Sequence, residues 1–199
     1  MMYISPSPIP YKVEVALSLP LIIYHLPYNM GSVVQDSELF KIPGRALSNL
    51  DLLYFAKKLN VSNFLGVFMR DEIAKISDKN KTKKSQSFIL NLQSSSEPGL
   101  HWVLFYKNSN LGVIYFDSYG QPPPRELRVY VGTNVEIQRN IYTVQSDLSS
   151  ECGRLCLFVL QALSRNIPYD KILQTLKRRY DGRRGDGTTG EDTEESGEE

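Results

Sequence analysis

The strongest apolar pattern in the chain lies between Leu155 and Leu163. Within it, Phe158, Val159, Ala162 and Leu163 repeat at the spacing of one helix face, which predicts a largely buried helix. Ser149 and Ser150 stand just ahead of this run, where N-caps are commonly found. The pattern therefore predicts that Cys152 lies in the first turn of a buried helix.

Two further helices are predicted on either side of this central one. The segment Ser48-Asn49-Leu50-Asp51 is a variant of the capping box and predicts a helix that continues to about Leu59. Pro168 precedes a second predicted helix, over about residues 169–180.

Short apolar runs bounded by turn residues predict the strands of a sheet. Residues 88–92, 101–106 and 112–117 have this pattern, and the polar turn at 107–111 predicts that the last two form a hairpin. Residues 137–144 are interpreted as the last strand, and Gln145 directly follows its end. Residues 129–135 are helical or irregular, and residues 13–26 are one or two strands.

These elements predict an α+β fold, in which the Cys152 helix packs on a mostly antiparallel sheet. We divide the chain into an N-terminal extension (1–47), a single domain (48–180) and a tail (181–199). The tail carries arginines first and carboxylates last, with glycines and no apolar residue, so we expect it to be disordered. The predicted domain is long enough to bury a hydrophobic core of its own.

Composition narrows the class of protein. The net charge of the 199-residue chain is +1, which does not indicate a nucleic-acid binder as a whole. Its two cysteines, Cys152 and Cys156, share a helix and suit a disulfide poorly, and with only His25 and His101 there is no zinc-ligand cluster. We expect no metal, no cofactor and no membrane segment, and a monomer in a reducing, intracellular compartment.

A lysine-rich stretch, 75–87, precedes the first predicted strand of the sheet. A solvated loop is the simpler interpretation. The alternative interpretation is a functional surface that contacts DNA phosphates through Lys79, Lys81, Lys83 and Lys84.

Four residues together have the chemistry of a thiol hydrolase. A thiol at a helix start, as predicted for Cys152, meets unpaired amides and the positive end of the helix dipole, which favours the thiolate. His101 and Asp117 occupy the open end of the predicted hairpin, so the carboxylate can orient the imidazole as a base. The side chain of Gln145, with the backbone N–H of Cys152, can donate to a developing oxyanion. Each residue alone has an ordinary structural interpretation, and only their combination indicates catalysis.

The order His, Asp, Gln, Cys resembles that of the adenovirus-type endopeptidases (adenain) and, more distantly, that of the SUMO-processing proteases of the same clan. The resemblance covers roughly residues 48–165. Its motifs are Asn63-Phe64-Leu65-Gly66 with Arg70-Asp71, Gly99-Leu100-His101-Trp102, Phe116-Asp117-Ser118-Tyr119-Gly120, and Gln145-Ser146 followed by Cys152-Gly153.

The resemblance implies a cysteine endopeptidase of a virus or virus-derived mobile element. Such an enzyme cuts viral structural precursors after small residues such as glycine, in the host nucleus or cytoplasm or within the virion. It implies that Cys152 is the nucleophile, His101 the base, Asp117 its orienting group and Gln145 the oxyanion donor, while Trp102 and Gly153 border the substrate cleft. No cysteine precedes Gln145, so a disulfide-linked activating peptide is not expected, whereas DNA remains a candidate activator.

Two alternatives stay open at this point. A protease that removes ubiquitin-like or SUMO-type modifiers would share the chemistry and differ in its protein substrate. A non-catalytic DNA-binding or interaction module would use the basic residues instead.

Overall fold

A computed structural model describes residues 42–76, 78–146 and 149–185. The helices are α1 (Asn49–Lys58), α2 (Asp78–Lys81), α3 (Arg125–Val131), α4 (Cys152–Ser164) and α5 (Tyr169–Gly185), with a 3-10 helix at Arg70–Lys75. The strands are β1 (Phe64–Met69), β2 (Gln86–Asn91), β3 (Trp102–Asn108), β4 (Gly112–Phe116) and β5 (Gln138–Arg139). The predicted α+β class is confirmed.

The five strands form one mixed sheet in chain order, β1-β2-β3-β4-β5. The two inner pairings are antiparallel, and the predicted hairpin is the β3–β4 pair, in which Asn108 faces Gly112 across the turn. Both outer pairings, β1 with β2 and β4 with β5, are parallel. The predicted antiparallel arrangement therefore holds for the centre of the sheet and not for its edges.

Alternating side chains of the sheet build a hydrophobic core on each face. In β3, Leu104 and Tyr106 contribute to the core under α4, while Val103 and Phe105 contribute to the core on the opposite face. Helices α1, α4 and α5 pack on the first face, and the 3-10 helix and α3 pack on the second. Every residue of α4 from Leu155 to Leu163 is buried, as predicted for the central helix.

The capping box predicted at the start of α1 is present. The Asp51 N–H donates to the Ser48 hydroxyl at 3.2 Å, and the Ser48 N–H donates to the Asp51 carboxylate at 2.8 Å. Hydrogen bonds from Arg45 and Ser48 outweigh partial burial and lower the pKa of Asp51 to about 2. Two of the unpaired amides at this helix end are thus satisfied by local side chains.

Three predicted element boundaries are wrong. The predicted strand at 137–144 contains only the two-residue β5, because the chain then turns away and is held by side-chain hydrogen bonds of Asn140 and Thr143. The N-cap of α4 is Glu151, without a side-chain cap bond, and neither Ser149 nor Ser150 caps the helix. The predicted disorder does not apply to residues 181–185, because α5 continues to Gly185 and an ion pair from Lys177 to Asp181 spans its added turn.

The folded domain includes residues that precede its predicted start at residue 48. Ile42 and Leu47 are buried and belong to the core beneath α4. Residues 1–41 and 186–199, with the strands predicted at 13–26, lie outside the described residues. Within the described ranges, no helix is long and apolar enough to cross a membrane.

Candidate active site

The hairpin brings His101 and Asp117 together as the sequence predicts. His101 lies directly before β3 and Asp117 directly after β4, so both stand at the open end of the hairpin. The imidazole Nε2 of His101 lies 3.0 Å from Oδ1 of Asp117. The side chain of His101 is 17% exposed and that of Asp117 is fully buried, so this pair is largely shielded from water.

Cys152 completes the group from the start of α4. Its thiol is hydrogen-bonded to the imidazole of His101. Because Asp117 engages Nε2, Nδ1 is the ring nitrogen left available to the thiol. The order carboxylate, imidazole, thiol is the arrangement of a nucleophile with its base and orienting group.

The electrostatics favour the charged forms of the thiol and the imidazole. Burial lowers the pKa of His101, but hydrogen bonds and charges from Asp117 and Cys152 outweigh burial and raise that pKa to about 9. Burial raises the pKa of Cys152, yet the hydrogen bond to His101 and backbone hydrogen bonds at Trp102 and Gly153 bring it below its ordinary value. A thiolate–imidazolium pair is the state that these contacts stabilise.

Asp117 is itself fixed by a set of buried hydrogen bonds. Its carboxylate also accepts from the Tyr119 N–H at 2.7 Å and from the Tyr115 hydroxyl at 3.4 Å. Its backbone N–H donates to Oδ1 of Asn140, whose amide donates back to the Asp117 carbonyl. Asn140 was not predicted, since an asparagine in a loop carries no distinctive signal in a single sequence.

The turn after Asp117 requires a glycine. Gly120 donates its N–H to the Asp117 carbonyl at 2.8 Å and has φ of +73°, in the left-handed region. A Cβ there would lie 2.7 Å from the backbone nitrogen of Tyr142. This turn places the Tyr119 ring against His101, with the ring centroids 4.9 Å apart.

Gln145 lies beside this group, and its amide is engaged by the protein. Its Nε2 donates to the Ser149 carbonyl at 2.7 Å and to the Tyr119 hydroxyl at 3.2 Å, and its Oε1 accepts from the Ser118 hydroxyl at 2.8 Å. The side chain is buried. The role of oxyanion donor therefore stays a prediction, and it requires the Gln145 amide to exchange one of these acceptors for substrate.

Two residues predicted to border the cleft, Trp102 and Gly153, are buried, and their role beside a substrate stays a prediction. The indole N–H of Trp102 donates to the Leu47 carbonyl at 2.9 Å, and the side chain belongs to the core under α4. A Cβ on Gly153 would lie 3.2 Å from Leu47 and 3.3 Å from Leu52. The glycine thus lets α4 approach these side chains closely.

Cys156 is the second thiol of α4, one turn after Cys152. It is fully buried, and its Sγ donates to the Trp102 carbonyl at 3.4 Å. Burial raises its pKa well above the ordinary value, which keeps the thiol neutral. Cys156 is thus part of the core under α4.

A carboxylate next to Cys152 links two helices. Oε1 of Glu151, the residue before Cys152, lies 3.5 Å from Nη1 of Arg154 and 3.4 Å from Nη2 of Arg179. Arg179 belongs to α5, so this cluster ties α5 to the start of α4. No pattern in the sequence predicted this contact.

The predicted DNA-contacting lysines lie away from these groups. Lys83 and Lys84 are exposed just before β2 begins, whereas the far end of β2, at Asn91, pairs with Trp102 beside His101. The length of the strand, about 20 Å, separates the two regions. Lys81 is half-buried, and the side chain of Lys79 lies outside the description, so DNA contact stays a prediction. Among the described residues, no group of three His, Cys, Asp or Glu side chains is placed to hold a metal ion.

Comparison with known proteins gives a distant likeness in shape. No family model and no curated protein matches the sequence. Two crystal structures of the ASFV pS273R protease are similar, one with a TM-score of 0.45 at 15% identity and the other, a Se-Met structure, with 0.44 at 20%. These matches cover 66% and 68% of this chain, and they span 62% and 64% of the protease chains. Likeness at this level assigns no role to any residue here.

Proposed function

We propose that this chain is a cysteine endopeptidase that hydrolyses peptide bonds after small residues such as glycine in viral structural precursor proteins. One observation carries the chemical part of the proposal. A buried carboxylate, Asp117, holds Nε2 of His101, and the same imidazole is hydrogen-bonded to the thiol of Cys152 at a helix start. The two similar ASFV structures are of one protease, and at their level of similarity the proposal depends on the geometry of this chain.

The groups suit a two-step hydrolysis. The Cys152 thiolate attacks the scissile carbonyl, and the His101 imidazolium protonates the amine that leaves. The resulting acyl-enzyme is then cleaved by a water molecule that neutral His101 deprotonates. Asp117 keeps the ring oriented through both steps, and the Gln145 amide and the Cys152 N–H stabilise the oxyanion.

The test combines cleavage with labelling. A peptide containing glycine at the cleavage point is incubated with the protein and with Cys152→Ala and His101→Ala. Each substitution is expected to lower cleavage about 10³-fold or more, since both groups act as one unit. Cys156→Ser, on the same helix, is the matched control and should keep cleavage near the unsubstituted rate.

An electrophile that alkylates thiolates should modify Cys152 and spare Cys156, as mapped by mass spectrometry of the digested protein. Full cleavage by Cys152→Ala or His101→Ala would refute the assignment. Offering a precursor protein and a Gly-Gly-tailed modifier conjugate in parallel separates an endopeptidase from a deconjugating protease, because the chemistry is shared and only the substrate differs.

A further inference from the structure

Helix α1 is apolar on two opposite sides. Its inner side buries Leu52, Phe55 and Ala56 against the core. On the outer side, Leu50 is 71% exposed, Leu53 40% and Tyr54 56%. Because these three residues have i, i+3 and i+4 spacing, they form one continuous surface, which we call the outer stripe of α1.

A surface helix ordinarily presents polar residues to water, and the rest of α1 follows that rule. Lys57 and Lys58 continue the outer side towards the C-terminal end of the helix, and the Lys58 ammonium lies 5.6 Å from the centroid of the Tyr54 ring. The outer stripe, which ends in two lysines, is the kind of exposed apolar surface on which another apolar segment packs.

The chain enters the folded part beside this stripe. Ile42 and Leu47 are buried, and Arg45 forms an ion pair of 2.8 Å with Asp51 in the first turn of α1. Residues 1–41 are therefore tethered at the start of the same helix. The segment 27–41 can reach about 50 Å when extended, and α1 is about 15 Å long, so the tether spans the stripe easily.

The sequence before this tether contains a suitable occupant. In the run Val13–Leu26, ten of fourteen residues are apolar, and Glu14 is its only Asp, Glu, Lys or Arg. We propose that this run docks on the outer stripe of α1. A segment of the same chain is favoured over a second molecule because the tether holds it at a high effective concentration.

Docking at this position would cover the outer side of α1, the helix whose inner side packs against the start of α4. Leu52 of α1 and Leu47 contact Gly153, which follows Cys152. The docked run would lie behind α1, away from the sulfur. This docking does not depend on the proposed function, and the experiments that test it measure no activity.

The test is site-specific photocrosslinking in the full-length chain. Benzoylphenylalanine replaces Tyr54, and in a control protein it replaces Val129, which is 64% exposed on α3 on the other face of the sheet. Irradiation of the Tyr54-substituted protein is expected to give a crosslink within one chain to a peptide from residues 13–26. The yield should not change on dilution, and the Val129 position should give at least tenfold less of this product.

A second measurement covers the case in which the photoreactive residue disturbs the surface. Hydrogen exchange of the unsubstituted protein should show protected amides within 13–26, and the combined substitution Leu50→Asp and Leu53→Asp should speed their exchange at least tenfold. Crosslinked dimers whose yield rises with concentration would overturn the proposal in favour of a second copy. Unprotected amides in 13–26, or equal crosslinking from Tyr54 and Val129, would overturn it as well.

Discussion

At the scale of single residues, the candidate site shows how contacts reverse the effect of burial on a titrating group. Burial lowers the pKa of His101 and raises that of Cys152, and either change alone would favour the neutral thiol and imidazole. For His101 the contacts with Asp117 and Cys152 act in the opposite direction and prevail, and for Cys152 those with His101 and the backbone at Trp102 and Gly153 do so. The thiolate–imidazolium pair therefore depends on Cys152, His101 and Asp117 together.

The pH dependence of cleavage follows from the direction of these shifts. Because the folded-state pKa of His101 is raised to about 9, the imidazolium persists through neutral pH and is lost as pH rises through about 9. We expect kcat/KM to fall on the alkaline side near that value, and on the acid side as the Cys152 thiolate becomes protonated. The measurement is kcat/KM of peptide cleavage as a function of pH.

Asp117→Asn provides the matched comparison for this profile. Without the carboxylate charge, the pKa of His101 should fall and the alkaline limit should move to lower pH. The limit should stay in place in Cys156→Ser. An alkaline limit that is the same with and without the Asp117 charge would contradict the role of Asp117.

At the scale of elements, helix prediction succeeded where the apolar periodicity was clear, as in α1 and α4, although only α1 has its predicted cap. The hairpin was equally predictable, because its two apolar runs flank a short polar turn. The predicted strand at 137–144 failed for a physical reason. That segment is held by the side chains of Asn140 and Thr143, whose partners Asp117 and Ser118 lie more than twenty residues away in the chain. Sequence patterns report local periodicity and do not report such distant partners.

Gly153 gives a prediction at this scale, because it sets the distance between α4 and its neighbours. A Cβ at this position would meet Leu47 at 3.2 Å, Leu52 at 3.3 Å and Trp102 at 3.4 Å. Trp102 cannot retreat freely, since its indole N–H is bonded to the Leu47 carbonyl. Overpacking of about 1–3 kcal/mol should exceed the gain of up to about 1 kcal/mol in helix propensity, so Gly153→Ala should lower stability.

The measurement is urea unfolding, with a lower midpoint expected at an unchanged slope. Gly182→Ala in α5 is the control, because nothing lies within 4 Å of its added Cβ. That substitution should leave stability unchanged or raise it by up to about 1 kcal/mol. A Gly153→Ala protein as stable as Gly182→Ala would show that α4 can shift without cost.

At the scale of the whole molecule, the sheet is a central layer with helices on both faces, and only part of this was predictable. The fold class and the meeting of Cys152, His101 and Asp117 followed from patterns in the sequence. The parallel edges of the sheet did not, because β1 and β5 pair with strands through connections that no local pattern reports. The burial of Trp102 likewise depends on Leu47, which is 55 residues away in the chain.

Tyr169 joins three parts of the molecule. From the start of α5, its buried hydroxyl donates to the Tyr115 carbonyl in β4 at 3.0 Å and lies 3.3 Å from Oδ1 of Asn140. Tyr169→Phe removes this donor without changing the shape of the ring. We expect a loss of about 1 kcal/mol in the free energy of unfolding.

Chemical denaturation of the full-length protein measures this loss. Tyr54→Phe is the comparison, and since that ring is 56% exposed, its stability should stay within about 0.5 kcal/mol of the unsubstituted protein. If the two substitutions cost the same, the buried hydroxyl does not connect α5 to the sheet.

The hairpin has a consequence for the timing of activity during synthesis. The residues at its open end, His101 and Asp117, lie within a short stretch of chain, whereas Cys152 follows 35 residues after Asp117, on a helix that packs against the sheet. A ribosome-bound chain can therefore form the hairpin while it still lacks a nucleophile. On the proposed function, the growing polypeptide cannot cut itself or its neighbours until α4 has left the exit tunnel and docked.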